Sequence, residues 1–401
     1  MSLYQKLKNE MENHKEFWNY YNVNFDDVFQ NEDSAREFIY QYFKYGSKMY
    51  PLYTWANSMD KYIQMRNIHT VNVFFIGAFL QRIIDENLTI KSEVTSPYPF
   101  SYIWYLSCLA HDWGYVYENY SKIYLELPEK RLYHYHSNNG THTLEFKSRK
   151  CWYQQHGINI TYLNPAFGEK AKIFYCNQRV MQWLKGNIEY NNGTIIKGPR
   201  YSSKTKNGYF YYRLYEMSAL DHGIIGADEF FSRLVVNYVR EYREIAVSDS
   251  FHGSIYEFCN NHGLHFYSEQ LKIFAYIADC IASHNMYKAD DNENLKAIYR
   301  RYFLECLLPD EYQLISYKDN PLLFILCIAD TIEPSKRFTS YRNEEVLKLI
   351  SIDYNVDTNL LNVEIAEELY NSNAGYKYVA DIKGLEKWCD IRANVRPQIK
   401  E

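Results

Sequence analysis

At 401 residues the chain is long enough for one large elaborated domain or two ordinary ones, and its 23% charged and 47% hydrophobic content is that of a soluble globular protein. The longest apolar run, Leu322 to Ala329, has only core-helix length, which excludes a membrane-spanning segment, and the charged start MSLYQKLKNEMENHKEF lacks the apolar centre of a secretory signal. The net charge of −5 conceals an asymmetry, because between Asn119 and Arg213 fifteen Lys or Arg stand against five Glu and no Asp.

Residues 1–60 read as an extension of two or three helices, with Trp18, Tyr21 and Phe25 as one aromatic stripe and Phe38, Tyr42 and Met49 as another. From Lys61 the pattern is strongly helical, and in HTVNVFFIGAFLQRIIDEN His69 opens the apolar face. Pro97 and Pro99 break the chain before SYIWYLSCLAHDWGYVYE, a helix apolar nearly all round and so central to the fold.

Residues 119–215 differ in kind. The turn-like stretches SNNG, NPAFG, NNG and KNG separate aromatic and β-branched runs such as TLEFKSRKCWY, TIIKG and GYFYYRLY, as expected for a β-rich basic insertion. Its charge faces something anionic, or it docks against the acidic remainder of its own chain or of a second copy in a homo-oligomer. Helical periodicity returns over 216–345 in MSALDHGIIGADEFFSRLVVNYVREY, SEQLKIFAYIADCIASHN and NPLLFILCIADTIEPSKRF, where Pro321 suits a first turn. The tail, 346–401, alternates acidic helical patterns with Asn and Gly breaks and reads as a second helical extension. The eight cysteines form no CxxC pair, and Cys108, Cys259, Cys280 and Cys327 fall in apolar helical patterns as small hydrophobes. The expectation is a mainly α, cytoplasmic protein with reduced thiols and no membrane partner.

Five helical segments present His or Asp at or near the end of an apolar face: His69, then His111 with Asp112, then His222, His284 and Asp330. Burying so many ionisable groups without a metal or partner charges costs several kcal/mol. Imidazole and carboxylate suit iron, manganese, nickel, zinc or magnesium, and ligand type does not separate these. One divalent ion can take His69, His111, Asp112 and Asp330; a second can share Asp112 and add His222 and His284. Neighbours on a helix point about 100° apart, so His111 and Asp112 reach one cluster most easily if the helix ends there, an ending Gly114 can supply. His14, His134, His136, His142, His156, His252, His262 and His265 read as surface or turn residues.

This pattern of a His, a His-Asp pair and a late Asp on a helical bundle resembles the HD-domain phosphohydrolase superfamily. Arg66, the HGIIGA stretch around His222, IASHN around His284 and ADTIEPSKR from Ala329 to Arg337 look like its bacterial branch that hydrolyses dinucleoside polyphosphates symmetrically. The resemblance covers roughly 61–118 and 216–345. It implies a centre of one or two divalent ions held by His69, His111, Asp112, His222, His284 and Asp330 that activates water for attack on phosphorus. Gly114-Tyr115 stands where many relatives have Gly-Lys, removing a cation that the basic insertion can replace. Arg66 and Arg337 are candidates for phosphate contacts and Glu333 for orienting a ligand His; interhelical salt bridges are the plainer alternative.

Three functions follow. The leading one is hydrolysis of a nucleotide or dinucleoside polyphosphate. The second is a nuclease or cyclic-nucleotide phosphodiesterase, with Tyr124, Tyr133, Trp152, Tyr153, Trp183, Tyr201 and Tyr209 stacking along a single strand on the basic insertion. The third is a non-catalytic nucleotide sensor or interaction module.

Overall fold

The computed structural model describes residues 1–45, 67–92, 98–112, 114–115, 188–190, 194–196, 198–217, 221–227, 230–231 and 268–398. Arg66, Met49 and most of the basic insertion lie outside them. The described residues are mainly helical, and none of their helices is long and apolar enough to cross a membrane.

Two amino-terminal helices, α1 (Leu3–Asn13) and α2 (Glu32–Tyr45), pack against α3 (Asn67–Asp85). Ser2 starts α1 with a capping box to Gln5. The sequence placed Trp18, Tyr21 and Phe25 on a helical stripe; they lie instead in the connection between α1 and α2. Asn19 exchanges side-chain hydrogen bonds with both backbone groups of Val23, and Asn22 takes φ 53°, so local asparagine chemistry outcompetes the helix. The aromatic rings still reach the core, where Trp18 meets Phe38, Tyr42, Phe74 and Phe75.

After α3 come short strands β1 (Thr89–Ser92) and β2 (Tyr98–Pro99), then α4 (Phe100–His111), every residue of which is buried. Strands β3 (Ile188–Tyr190) and β4 (Thr194–Ile196) return from the insertion and complete an antiparallel sheet in the order β2-β1-β3-β4. The expected strand in TIIKG is thus β4. GYFYYRLY, expected as a strand, belongs to helix α5 (Ser203–Glu216). A run of aromatics carries no clear period, and the deciding signal is Ser202, whose hydroxyl accepts from the Thr205 amide at 3.1 Å and starts the helix.

Helix α5 is pinned to α6 (Ser268–Ser283) by a fully buried ion pair between Lys206 and Asp279, and Asp279 also accepts from the Arg200 amide at 2.9 Å. Arg213 lies 3.7 Å from Asp221. Lys206 and Arg213, at the insertion's end, thus dock on carboxylates of their own chain, and the Arg200 guanidinium donates to the Gln313 carbonyl. Asp279→Ala should leave the buried Lys206 ammonium without its carboxylate and cost about 3–5 kcal/mol in a denaturant titration, most of it recovered by pairing Lys206→Met with Asp279→Leu.

Helices α7 (Glu293–Arg301) and α8 (Pro321–Ile332) follow, α8 with Pro321 in its first turn and Asn320 capping the Leu323 amide at 3.1 Å. The carboxyl-terminal part corrects the expected helical extension. After α9 (Asn343–Lys348) it builds β5 (Ile350–Asn355), β6 (Leu360–Ile365), α10 (Glu367–Tyr370), α11 (Asn373–Gly384) and β7 (Arg392–Pro397). Strand β6 pairs antiparallel with β5 and parallel with β7. Burial alternates along β6, with Leu361, Val363 and Ile365 inward, a period of two that its Asn and Glu residues obscure in the sequence.

Candidate metal centre

The site lies where α3, α4, α6 and α8 meet. The first turn of α3 supplies His69, the last residue of α4 is His111, and Asp112 follows as its cap with φ −96° and ψ 1°. The helix therefore ends at the His-Asp pair, as the adjacency required. Gly114 does not end it through a left-handed conformation. It is needed for contact, since a Cβ there would stand 1.9 Å from the His222 carbonyl oxygen. Asp221 caps the helical residues 222–227 by accepting from the Ile224 amide at 2.8 Å, which fixes His222 at their start. His284 follows α6, and Asp330 sits near the end of α8.

All six sequence-derived ligands converge. His69, His111 and Asp330 form one group and Asp112, His222 and His284 another, with the ligand atoms in each within 4.8 Å of one another. Asp112 spans the two: Oδ2 is 3.2 Å from His69 Nε2, while Oδ1 is 3.5 Å from His111 Nε2 and 3.8 Å from His222 Nε2. Asp330 Oδ1 lies 3.1 Å from His69 Nε2 and 3.8 Å from His111 Nε2. Donors bound at about 2.1 Å to one ion stand roughly 3.0–3.4 Å apart, so the spacing suits a shared cation.

The outer nitrogens fix the tautomers. His111 Nδ1 faces the Cys108 carbonyl, His284 Nδ1 the Ile281 carbonyl, and His69 Nδ1 the Glu333 carboxylate at 2.6 Å. A nitrogen in that position carries the proton, which directs each Nε2 inward, as a free lone pair wherever the ring is neutral. The Nε2 atoms of His111 and His284 are buried without a hydrogen-bond partner, and that of His69 faces the Asp112 and Asp330 carboxylates.

For His284 a second proton cannot fill that need. Burial, with His222 and His111 close by, pushes its pKa down to about 3. Burial also opposes the His69 imidazolium, but Glu333 and Asp112 prevail and hold its pKa well above the ordinary value. Burial would raise Asp330, yet Lys336, His111 and His69 hold it well below the usual carboxylate range. Glu333 is lowered in spite of burial, chiefly by His69.

Glu333 is itself anchored, accepting from Asn72 Nδ2 at 2.7 Å and the Ser335 amide at 2.8 Å. Glu333→Gln should preserve the fold but weaken metal retention roughly 10–100-fold, measured by competition with a chelator. Arg337, a candidate phosphate contact, pairs with Asp381 at 2.6 Å.

Sequence reasoning passed over several neighbours. Lys336 donates to the Asp330 carbonyl at 2.6 Å and its carboxylate at 3.0 Å. Tyr115, in place of the expected lysine, stacks on His222 with ring centroids 3.7 Å apart. Asn285 donates to Asp221 at 2.8 Å. Each stands in a stretch the sequence singled out, Lys336 in ADTIEPSKR, Asn285 in IASHN and Tyr115 after Gly114, but none was given this contact.

A cleft of about 620 Å³ opens beside Asp330, lined in part by Lys288, Lys336, Arg337, Lys387 and Trp388. No family model matches the chain, and neither a curated protein nor a solved structure matches it closely enough to count as a relative.

Proposed function

We propose that this chain is a metal-dependent phosphohydrolase of the HD-domain superfamily, acting on a nucleotide or dinucleoside polyphosphate. The observation that carries this reading is the convergence of three buried imidazole Nε2 atoms on two carboxylates, those of His111 and His284 having no hydrogen-bond partner and the His284 ring being kept neutral by burial. One or two divalent ions held by His69, His111, Asp112, His222, His284 and Asp330 would supply a water of lowered pKa and polarise a phosphoryl oxygen.

The chain's own groups prepare that chemistry. Glu333 and the Cys108 and Ile281 carbonyls orient the imidazoles, and Asp112 ties the two ligand groups together. Lys336 and the neighbouring cleft cations stand where phosphate charge accumulates, which supplies locally what Gly114-Tyr115 lacks.

The nuclease reading draws no support from the described end of the insertion. Tyr201 and Tyr209 are buried and closed to a stacking base, and Arg200, Lys206 and Arg213 are engaged with the core. The test is phosphate release from manganese- or iron-loaded protein over mononucleotides, dinucleoside polyphosphates, cyclic dinucleotides and short oligonucleotides. Release from the first two classes is expected; turnover of oligonucleotides alone would reassign the activity.

A further inference from the structure

The cleft beside Asp330 has two walls of different origin. One is the turn after α8, with Lys336 and Arg337; the other is the end of α11 and the residues after it, with Gly384, Lys387 and Trp388. The second wall belongs to the carboxyl-terminal α/β unit, in which the sequence showed no chemistry.

Its surface is built for something larger than one phosphate. The cleft's volume, about 620 Å³, is that of a small-molecule site. Lys336 is held on Asp330 and Arg337 on Asp381, whereas Lys288 and Lys387 make no ion pair among the described residues. Trp388 is partly exposed in the same wall, and the exposed Tyr287 meets it edge to face with centroids 5.6 Å apart. Of the carboxylates in the lining, Asp330 and Asp381 are held by Lys336 and Arg337 and Asp291 by Lys296 at 2.5 Å, while Asp290 makes no ion pair among the described residues and leaves the four lysine and arginine groups one carboxylate to share. Two ammonium groups without a salt bridge, that of Lys288 lying 5.8 Å from the Tyr312 ring centroid, stand beside an aromatic platform and match polyphosphate joined to a flat heteroaromatic base.

We propose that the carboxyl-terminal unit is the specificity wall of the site. Lys387 and Lys288 take the distal phosphate, and Trp388 with Tyr287 takes the base, of a nucleoside di- or polyphosphate whose reacting phosphate lies at the Asp330 end. This rests on the phosphohydrolase reading for the reacting end alone.

The test is calorimetric binding to the protein as purified, using the hydrolysis-resistant α,β-methylene analogue of ADP and, as the baseless control, methylenediphosphonate. The ADP analogue should bind more tightly than the control. Trp388→Leu should weaken the ADP analogue roughly 5–50-fold and leave the control unchanged, and Lys387→Ala, which removes only an exposed side chain, should weaken both. Gly384 has φ −62° and ψ −25°, and a Cβ there meets nothing within 4 Å, so Gly384→Phe should fold normally and obstruct both ligands.

Equal affinity for the two ligands, or unchanged ADP-analogue binding in Lys387→Ala and Gly384→Phe, would overturn the proposal even if Trp388→Leu failed to fold. Metal content and turnover are separate readouts. Loss of hydrolytic activity with the binding pattern intact would therefore sink the phosphohydrolase reading and spare the specificity wall.

Discussion

Asp112→Ala is expected to abolish both metal retention and phosphate release. Its carboxylate reaches both ligand clusters, with Oδ2 on the His69 side and Oδ1 near His111 and His222. Removing it leaves Asp330 as the sole carboxylate among the five remaining ligands and deprives the second cluster, His222 and His284, of any negative charge of its own. The loss should exceed the roughly 10–100-fold expected for an outer partner such as Glu333. Elemental analysis and turnover measure the two effects independently, and a melting curve matching that of chelator-treated parent protein shows that the fold survives. Full turnover in the purified variant would mean that the chemistry has been assigned to the wrong residues.

Stripping the metal should lower the melting temperature and make stability depend on pH in a particular way. A ligand present at a thousand times its dissociation constant stabilises the folded state by about 4 kcal/mol, which the stripped chain forfeits. In that chain His284 titrates near 3, against an ordinary value of 6.5, so the unfolded state binds more protons between them and stability falls as pH drops through that window. Asp330 and Glu333, both held below their ordinary values, act in the same sense at lower pH, their contribution being lost as pH falls through the depressed values. His69 acts oppositely: its contribution is complete below about 6.5 and is lost as pH rises through its raised value. The stripped chain should therefore weaken on both sides of neutrality. A bound cation takes the place of the His69 Nε2 proton, so the alkaline loss should vanish on loading. Melts of loaded and stripped protein across this range check the pattern; coincident curves would show that no ion occupies the site.

The helices that carry the ligands were legible because apolar period and end signals agreed. Pro321 and Asn320 announce α8, and the all-apolar run before His111 announces a central helix that stops where two adjacent ligands must converge. The six ligand positions could be read one by one, but their convergence is a tertiary fact that rests on close approaches such as Gly114 against the His222 carbonyl.

Elsewhere local chemistry hid the outcome. Asn19 and Asn22 turn an apparent aromatic stripe into a connection, and Ser202 converts an apparent strand into α5. The polar positions of β6 mask its alternation, and with it the sheet that supports the second wall of the cleft. Arg337 makes the salt bridge that the sequence offered as its plainer role, but its partner Asp381, 44 residues on, left no trace in the sequence.

The most direct measurement is the divalent metal content of the protein as purified and after exposure to iron or manganese followed by gel filtration. About one or two tightly held equivalents per chain are expected, lost together when His69, His111 and His284 are replaced. A parent protein that retains none, or a triple variant that retains the same amount, would contradict a metal centre at the meeting point of these helices.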